Sequence, residues 1–426
     1  RCGGAGRLVP VSTFPSRRPP LITVLCDQGA GRLCDLYHRA MRALICGAGI
    51  SGLTLACLLD RMGWEVQLVE RAKSLRREGY MIDFFGSGFD AAETMGLLPR
   101  LRELAYTITE LNYVDRSGRP RAALDYQLMV NSLDGRLISL LRGDLALALH
   151  ERLSQRVVQS YGCSVQALDE RAEEVTATLT DGTRWSGDLV IGADGIHSAI
   201  RELAFGPESK YLRYLGFHTA AYTFTNAELH EKLGEQFALT DSVDKTVGLY
   251  AIRNERIAVF TAHRMPDPAI PADPRMVVQT TYSDLGWLLP DALPYCPDPP
   301  DLYYDQVSQI EMPRWTTDRV ALVGDACQAV SLLAGQGASL AVAGAGLLAS
   351  ELANGANVTH ALARYNTRMA ASVADKQAAG RRTAEWFLPS TPHRLLLRRL
   401  ALRAMALPGL DRLLSSRLVA GAGGIP

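Results

Sequence analysis

Apolar residues crowd positions 42–47, a run of strand length that ends in glycine. Positions 51–62 then carry apolar side chains at helical spacing, and 64–69 alternate apolar with polar, as a second strand does. Strand, glycine turn, helix and strand make a βαβ unit of about thirty residues. Further on, 111–114 and 121–126 read as strands on either side of a Ser117-Gly118 turn, and 141–153 as a helix. Positions 175–180 alternate and meet Asp181-Gly182, a hairpin signal, before the strand-like 183–185. The apolar run 189–191 leads into Gly192-Ala193-Asp194-Gly195, and strand-rich stretches follow at 215–224, 246–252 and 257–262. Pro and Asp crowd 266–300, which reads as loops around a short helix. A short apolar strand at 320–323 ends at Gly324-Asp325, and from 337 onward the pattern is mostly helical. No fixed-period repeat is present. The predicted class is α/β: a Rossmann-like domain with a mixed or antiparallel β-sheet domain inserted, plus C-terminal helices.

A chain of 426 residues is long enough for two interlocked domains. Its 45 basic and 45 acidic residues cancel, so no net field draws it toward nucleic acid or an anionic membrane. The eight cysteines include no CxxC pair and no metal-like spacing; they read as reduced thiols, which points to a cytoplasmic protein. The most apolar run, 337–353, is mostly Ala, Gly and Ser, which suits a helix packed inside a protein better than one facing lipid. Residues 1–40 are rich in Arg, Gly and Pro, with Asp27 and Asp35 their only acids. Ser16-Arg17-Arg18 superficially resembles a twin-arginine signal, but Pro19 and Pro20 follow, and 21–25 is too short an apolar core. The expected reading is a disordered leader, or a start site placed ahead of the natural one at Met41. Near the other end, arginines are set among leucines over 393–417. Such a basic amphipathic helix either lies on a membrane or packs on its own domain, and the second is expected.

Gly47-Ala48-Gly49-Ile50-Ser51-Gly52 fits GxGxxG between the first strand and the first helix. The first glycine permits a tight turn, the second lets the backbone approach a pyrophosphate, and the third lets helix and strand pack closely. Backbone N–H groups at the helix start then face the negative charge. Glu70 closes the next strand, followed by Arg71. A carboxylate there can accept hydrogen bonds from both ribose hydroxyls of an ADP group. The plain alternative is an ordinary glycine turn with a solvated Glu70. This motif by itself does not separate FAD from NAD.

Two later segments do so by resemblance. Asp188-Leu189-Val190-Ile191-Gly192-Ala193-Asp194-Gly195-Ile196-His197-Ser198-Ala199-Ile200-Arg201 resembles the Asp-Gly motif of the para-hydroxybenzoate hydroxylase family of single-component flavin monooxygenases. Arg319-Val320-Ala321-Leu322-Val323-Gly324-Asp325-Ala326 resembles that family's Gly-Asp motif, and Arg142 with Leu145 and Leu149 its Arg-x-x-Leu-x-x-x-Leu helix. The order and spacing match from Met41 to about Asp375. The tetracycline-inactivating monooxygenases are an especially close comparison, since Gly335-Gln336-Gly337 resembles their turn before the flavin-side helix. The resemblance implies a discontinuous FAD-binding domain at 41–110, 140–206 and 305–385, a substrate-binding β domain at 111–139 and 207–304, and a helical tail at 386–426. It also implies that Asp325 bonds a hydroxyl on the ribityl or pyrophosphate side of FAD, that Arg142 reaches the FAD, and that Asp194 and Gly195 hold the cofactor region and its corner. After the turn made by Gly335 and Gly337, Ala338 and Ser339 would present N–H groups to the flavin N1 and O2 edge, where the helix dipole stabilises the negative charge of reduced flavin. Each segment has a plain reading as a turn or a surface cation, but independent turns do not fall in family order.

The resemblance further implies that NADH or NADPH reduces FAD, that O2 adds at the flavin C4a, and that the hydroperoxide delivers one oxygen atom to a small aromatic or polyketide-like substrate. No protein nucleophile or metal is required, in agreement with the lack of HExxH, a clustered His/Cys ligand set, a GxSxG elbow or a P-loop. No catalytic acid or base is nominated. Residues 79–86 resemble the family strand that passes the isoalloxazine, with Arg76 or Arg77 beside FAD. Tyr222, Phe224, Tyr250 and Phe260 either line an apolar pocket or form the core of the insert. His197 reads as a packing or exposed residue and Cys327 as a small buried hydrophobe. Many relatives have Ala-His after Gly-Asp-Ala and then a proline, whereas this chain has Cys327-Gln328 and Ser331-Leu332-Leu333. These departures leave room for rivals: another flavoenzyme of the same fold (epoxidase, reductase or halogenase, although Trp287-Leu288-Leu289-Pro290 is not the halogenase WxWxIP) or a catalytically silent FAD- or ligand-binding protein.

Overall fold

The computed structural model describes residues 40–76, 79–299, 301–331, 335–355 and 357–405. Residues 1–39, Arg77, Leu332, Leu333 and the tail beyond 405, with Arg412 and Arg417, lie outside the described residues.

Five short strands form an all-parallel sheet in the order Val320–Leu322, Leu189–Gly192, Arg42–Cys46, Glu65–Glu70, Val158–Tyr161. A parallel sheet is covered on both faces, so its strands Val320–Leu322, Leu189–Gly192 and Arg42–Cys46 are almost wholly apolar, and Leu44, Ile45, Val190, Ile191 and Ala321 are fully buried. Glu65–Glu70 instead alternates, and the edge strand Val158–Tyr161 is half-exposed. The helix Ile50–Arg61 makes the first crossover and packs against the small-residue helix Gly337–Asn354. That second helix also meets Ser87–Thr94, so closely that a Cβ on Gly88 would lie 2.5 Å from the Ser339 Cα. The run read as too small-sided for lipid is thus an internal helix, and no described helix is long and apolar enough to cross a membrane. The hairpin expected at Asp181-Gly182 closes a three-stranded antiparallel sheet of Val165–Glu170, Val175–Leu179 and Arg184–Gly187.

The second large sheet has seven strands in the order Tyr303–Ile310, Leu212–Thr225, Arg256–Arg264, Lys245–Ile252, Gln236–Ser242, Glu110–Val114, Pro120–Asp125. Every pairing is antiparallel except that of Gln236–Ser242 with Glu110–Val114. A two-stranded antiparallel ribbon, Met81–Phe85 with Leu137–Leu141, completes the strands. One reading needs correction. The strand Tyr303–Ile310 belongs to this sheet through its pairing with Leu212–Thr225, so the sheet runs past position 305, where the cofactor part was expected to resume. The stretch 266–300 holds the short helix expected there and, beyond that reading, a second one at Leu289–Ala292. The Asp273 carboxylate caps the helix Pro274–Tyr282 by accepting from the Met276 N–H at 2.9 Å, and Pro274 starts that helix rather than breaking it. Val278, Tyr282 and Leu289 bury themselves against the sheet.

The C-terminal helix Pro392–Met405 packs on the strand Pro120–Asp125. Arg398 is 2% exposed, pairs with the equally buried Asp241 and lies over the Tyr113 ring at 5.1 Å. Arg399 also bonds Asp241 and Arg403 the Arg121 carbonyl, so these three arginines bind the helix to the sheet. Cys46, Cys57, Cys163, Cys296 and Cys327 are buried free thiols.

Candidate functional site

Gly47 ends the central strand with a φ of +109°, and an added Cβ would lie 2.3 Å from the Ala193 carbonyl oxygen, so only glycine fits. Gly52 is tighter, with a Cβ placed 1.9 Å from the Gly47 oxygen. Gly49 differs. A Cβ there would meet nothing nearer than the Ala193 oxygen at 4.0 Å, because this glycine borders a cavity of about 450 Å³. The helix starting at Ile50 carries no side-chain cap, and Ile50 and Ser51 line the cavity. Uncapped N–H groups at a helix start are ready to receive an anion.

Glu70 does not line the cavity. Its carboxylate accepts from the Ala48 N–H and the Ala72 N–H, each at 2.8 Å, which fixes it beside the glycine turn with lone-pair capacity left on both oxygens. Arg71 and Arg76 are exposed and outside the cavity lining. Asp194 also stands back. It accepts from the Ser198 hydroxyl at 2.5 Å and the Ile200 N–H at 3.2 Å, tying the corner before the helix Ala199–Phe205. Burial pushes its carboxyl up, and the Ser198 bond opposes the shift. Gly195, with a φ of +84°, reaches the cavity.

Gly324 leans on the first motif: a Cβ there would lie 2.0 Å from Ser51 Oγ. Asp325 consequently faces the same cavity as Gly49. Burial raises its carboxyl, Arg142 counteracts this, and Asp305 adds to it. Arg142 begins the helix Arg142–His150, anchored by fully buried Leu145 and Leu149. It lines the cavity, and its side chain makes no hydrogen bond or ion pair among the described residues. Gly335, Gly337 and Ala338 line the cavity at the start of Gly337–Asn354, a second helix without a side-chain cap. Ser339 lies behind them, its hydroxyl accepting from the Phe85 N–H at 3.3 Å.

The opposite wall comes from Met81–Phe85 and the seven-stranded sheet. The Tyr80 ring lies 5.9 Å from Phe260 and 6.1 Å from Tyr303, and burial pushes its hydroxyl up to about 12, so it stays protonated as a donor. Of the four aromatics expected on the insert, Tyr250 and Phe260 line the cavity, while Tyr222 and Phe224 belong to the core beneath Pro274–Tyr282. Met129, Phe237, Tyr303, Asp305 and Phe387 were not foreseen. Alternation of Tyr303, Asp305 and Val307 along one strand is the signal that would have found three wall residues; Phe387 ends the helix Val358–Phe387 and has no local signal. The two departures also separate. Cys327 is fully buried, as read, with its thiol pushed well up by burial. Gln328 donates to the Tyr365 hydroxyl at 2.5 Å and is buried outside the cavity lining. Ser331 lines the cavity with a φ of +98°.

His197 is exposed, one of the two readings given for it, and it also bridges two carboxylates. Its Nδ1 lies 3.0 Å from Glu208 and its Nε2 3.4 Å from Asp305, and these carboxylates, Asp305 first, raise it to about 9. His263, bonded through Nδ1 to the Tyr282 hydroxyl at 2.8 Å, behaves oppositely: burial lowers it to about 4, with His218 and Lys245 adding to the effect. The depressed His263 contributes stability that is complete above about 6.5 and lost as pH falls toward 4, up to about 3 kcal/mol. The raised His197 contributes stability that is complete below about 6.5 and lost as pH rises through 9. Thermal melts between these limits should peak near pH 6.5. His263→Phe should flatten the acid limb, and an unchanged limb would remove His263 as its cause.

The chain is similar to known proteins in sequence and in fold. A family profile described as an FAD binding domain matches residues 40–377. An uncharacterized protein of Mycobacterium tuberculosis is 36% identical over 319 residues, covering 72% of this chain and 84% of its own. A flavin-dependent monooxygenase of Legionella longbeachae is 32% identical over 355 residues, covering 82% of this chain and 90% of its own. Among solved structures, tetracycline destructase Tet(55) superposes with a TM-score of 0.76 at 26% identity, over 91% of this chain and 98% of that one.

Proposed function

Since the chain belongs to the FAD-binding family matched over residues 40–377, we propose that it is a flavin-dependent monooxygenase that uses NADH or NADPH and O2 to oxygenate a small aromatic or polyketide-like molecule. One observation carries this reading: Gly49, Arg142, Asp325 and Gly337 converge on one side of a cavity whose other side is the aromatic wall of the seven-stranded sheet. The residues present fit FAD. The open space beside Gly49, two uncapped helix starts and an unpaired Arg142 suit a long dianionic ligand.

In this proposal Gly47, Ala48, Gly49, Ile50, Ser51 and Gly52 hold the pyrophosphate and Glu70 the ribose, with Arg71 outside the set. Asp325, Arg142 and Gly195 border the middle of the cofactor, and Gly335, Gly337, Ala338 and Ser339 lie toward the flavin ring. Asp194 acts through its corner. Bound flavin supplies the redox chemistry, taking electrons from the nicotinamide and activating O2. The protein sets Tyr80 and Phe260 against the cavity and offers the N-terminus of Gly337–Asn354 to negative charge. A cytoplasmic setting, which supplies reduced nicotinamide and keeps buried thiols reduced, accords with this reading.

The purified protein should be yellow, with flavin absorption bands. Polycyclic phenols should accelerate NAD(P)H oxidation and emerge heavier by one oxygen atom. Acceleration that yields only peroxide would mark such a compound as an effector, and a flavin that NAD(P)H never reduces would leave a binding protein instead.

A further inference from the structure

The segment that carries Gly335 and Gly337 to the cavity is gripped on both sides by one helix, Val358–Phe387. On the first side, Gln377 donates to the Ile310 carbonyl at 2.7 Å and to the Ala329 carbonyl at 3.0 Å. Gln309 donates to the Val330 carbonyl at 2.8 Å and to the Gln377 carbonyl at 2.9 Å, which binds the same helix to the sheet. On the second side, the neighbouring Lys376 donates to Gln336 Oε1 at 2.6 Å. Gln336 is the N-cap residue of Gly337–Asn354. Gln377 is buried and Lys376 half-buried. Burial pushes the Lys376 ammonium down from the usual lysine range.

A lysine is an unusual choice for this place. A helix N-terminus carries partial positive charge, and acidic side chains favour it. Gly337–Asn354 has no acid in its first turn and no side-chain cap, and an ammonium reaches its N-cap residue instead. Asp325 stands close, its Oδ1 3.9 Å from a Cβ placed on Gly337, but Arg142 is the cation that bears on it. Two positive fields therefore meet behind Gly335, Gly337 and Ala338, which line the cavity. Such fields oppose each other, and negative charge arriving in the cavity relieves both.

We propose that Lys376 is a positioning residue for flavin reduction: held on Gln336, its ammonium strengthens the positive end of Gly337–Asn354 and favours reduced over oxidised flavin. This rests on the reading that the cavity receives FAD with its ring toward Gly335, Gly337 and Ala338. Hydride transfer from the nicotinamide brings two electrons and one proton, so a neutral ring gains one negative charge. A fixed positive field binds that product more tightly than the starting ring, and the difference in binding sets the shift in potential. Lys376 does not itself line the cavity, so it acts through the turn.

The test is a redox titration of the FAD-loaded enzyme against a reference dye, with dithionite as reductant. Lys376→Met should move the two-electron equilibrium about tenfold or more toward oxidised flavin, a potential lower by about 30 mV. Affinity for oxidised FAD should stay within about threefold of wild type, because its ring is uncharged. Lys376→Arg keeps the charge and should hold the equilibrium within about twofold of wild type. Gln336→Glu keeps the lysine but sets a carboxylate against it, and should lower the potential as Lys376→Met does. A merely structural lysine gives a different pattern, in which both redox forms of FAD bind more weakly by one factor and the potential holds. That pattern, or a potential lowered equally in Lys376→Arg, would overturn the proposal. If Lys376→Met does not fold, Gln336→Glu against the wild type decides. The two levels of inference fail differently. Protein that takes up no flavin removes the flavoenzyme reading, and flavin-loaded protein whose potential ignores Lys376 removes only this one.

Discussion

Gly49→Val should give a folded protein that has lost its flavin. The neighbouring glycines cannot carry a side chain for reasons internal to the fold: Gly47 would strike the Ala193 carbonyl at 2.3 Å and Gly52 the Gly47 oxygen at 1.9 Å. A side chain at Gly49 meets only the Ala193 oxygen at 4.0 Å and otherwise projects into the cavity, where the proposed pyrophosphate would lie. The melting temperature without added cofactor should therefore change little, while FAD affinity falls by about 100-fold or more, roughly 2.8 kcal/mol. Gly47→Ala and Gly52→Ala should instead lower the melting temperature. Absorption spectra and melts of the three variants read both effects. A yellow Gly49→Val protein would mean that FAD does not approach this turn.

Arg201→Met should cost stability on a similar scale. Arg201 is fully buried. Its guanidinium donates to the Ala326 carbonyl at 3.0 Å, to the Ile196 carbonyl at 2.7 Å and to Glu208 at 2.6 Å. Methionine fills similar volume but strands two buried carbonyls and leaves Glu208 with only the exposed His197 as a cationic partner. Losing one partner of such a network costs about 3–5 kcal/mol. For a chain of this size that is a fall in melting temperature of roughly 3–6 °C. Ile196 follows Gly195 and Ala326 follows Asp325, so one side chain ties the two aspartate motifs together. FAD affinity should fall along with stability. Arg201→Lys should rescue little, since one ammonium cannot span three acceptors set out for a planar fork. An unchanged melting curve for Arg201→Met would remove the tie.

The parts of the molecule legible in the sequence are those whose chemistry is local. Gly47 turns the chain with a positive φ and Gly52 packs on the Gly47 oxygen five residues back, so the first βαβ unit and its turn could be read directly, although the Ala193 carbonyl that also crowds Gly47 lies far along the chain. Asp194 and Asp325 follow short apolar strands, and those strands lie together on one side of the central strand, Leu189–Gly192 between it and Val320–Leu322. What escaped depends on distant partners. His197 becomes a bridge only because Glu208 and Asp305 arrive from elsewhere, the second of them 108 positions along the chain. Tyr303–Ile310 was hidden because its edge position follows from pairing with Leu212–Thr225, which no local pattern announces. The short helix expected within 266–300 is Pro274–Tyr282, but its bounds stayed open because Asp273 and Pro274 look like loop residues until the helix they begin is recognised. Tyr222 and Tyr250 share the same alternating context, yet one faces the covering helices and the other the cavity.

The seven-stranded sheet draws Glu110–Val114 and Pro120–Asp125 from one stretch of chain, four strands between Leu212 and Arg264 from another, and Tyr303–Ile310 from a third. Recombination between relatives meets this interleaving directly. A chimera with a single crossover anywhere between Asp125 and Tyr303 joins edge strands of one parent to central strands of the other and exposes mismatched seams. Transplanting specificity into this chain therefore calls for exchanging all three blocks together, or for changing individual side chains on the wall and leaving the scaffold intact.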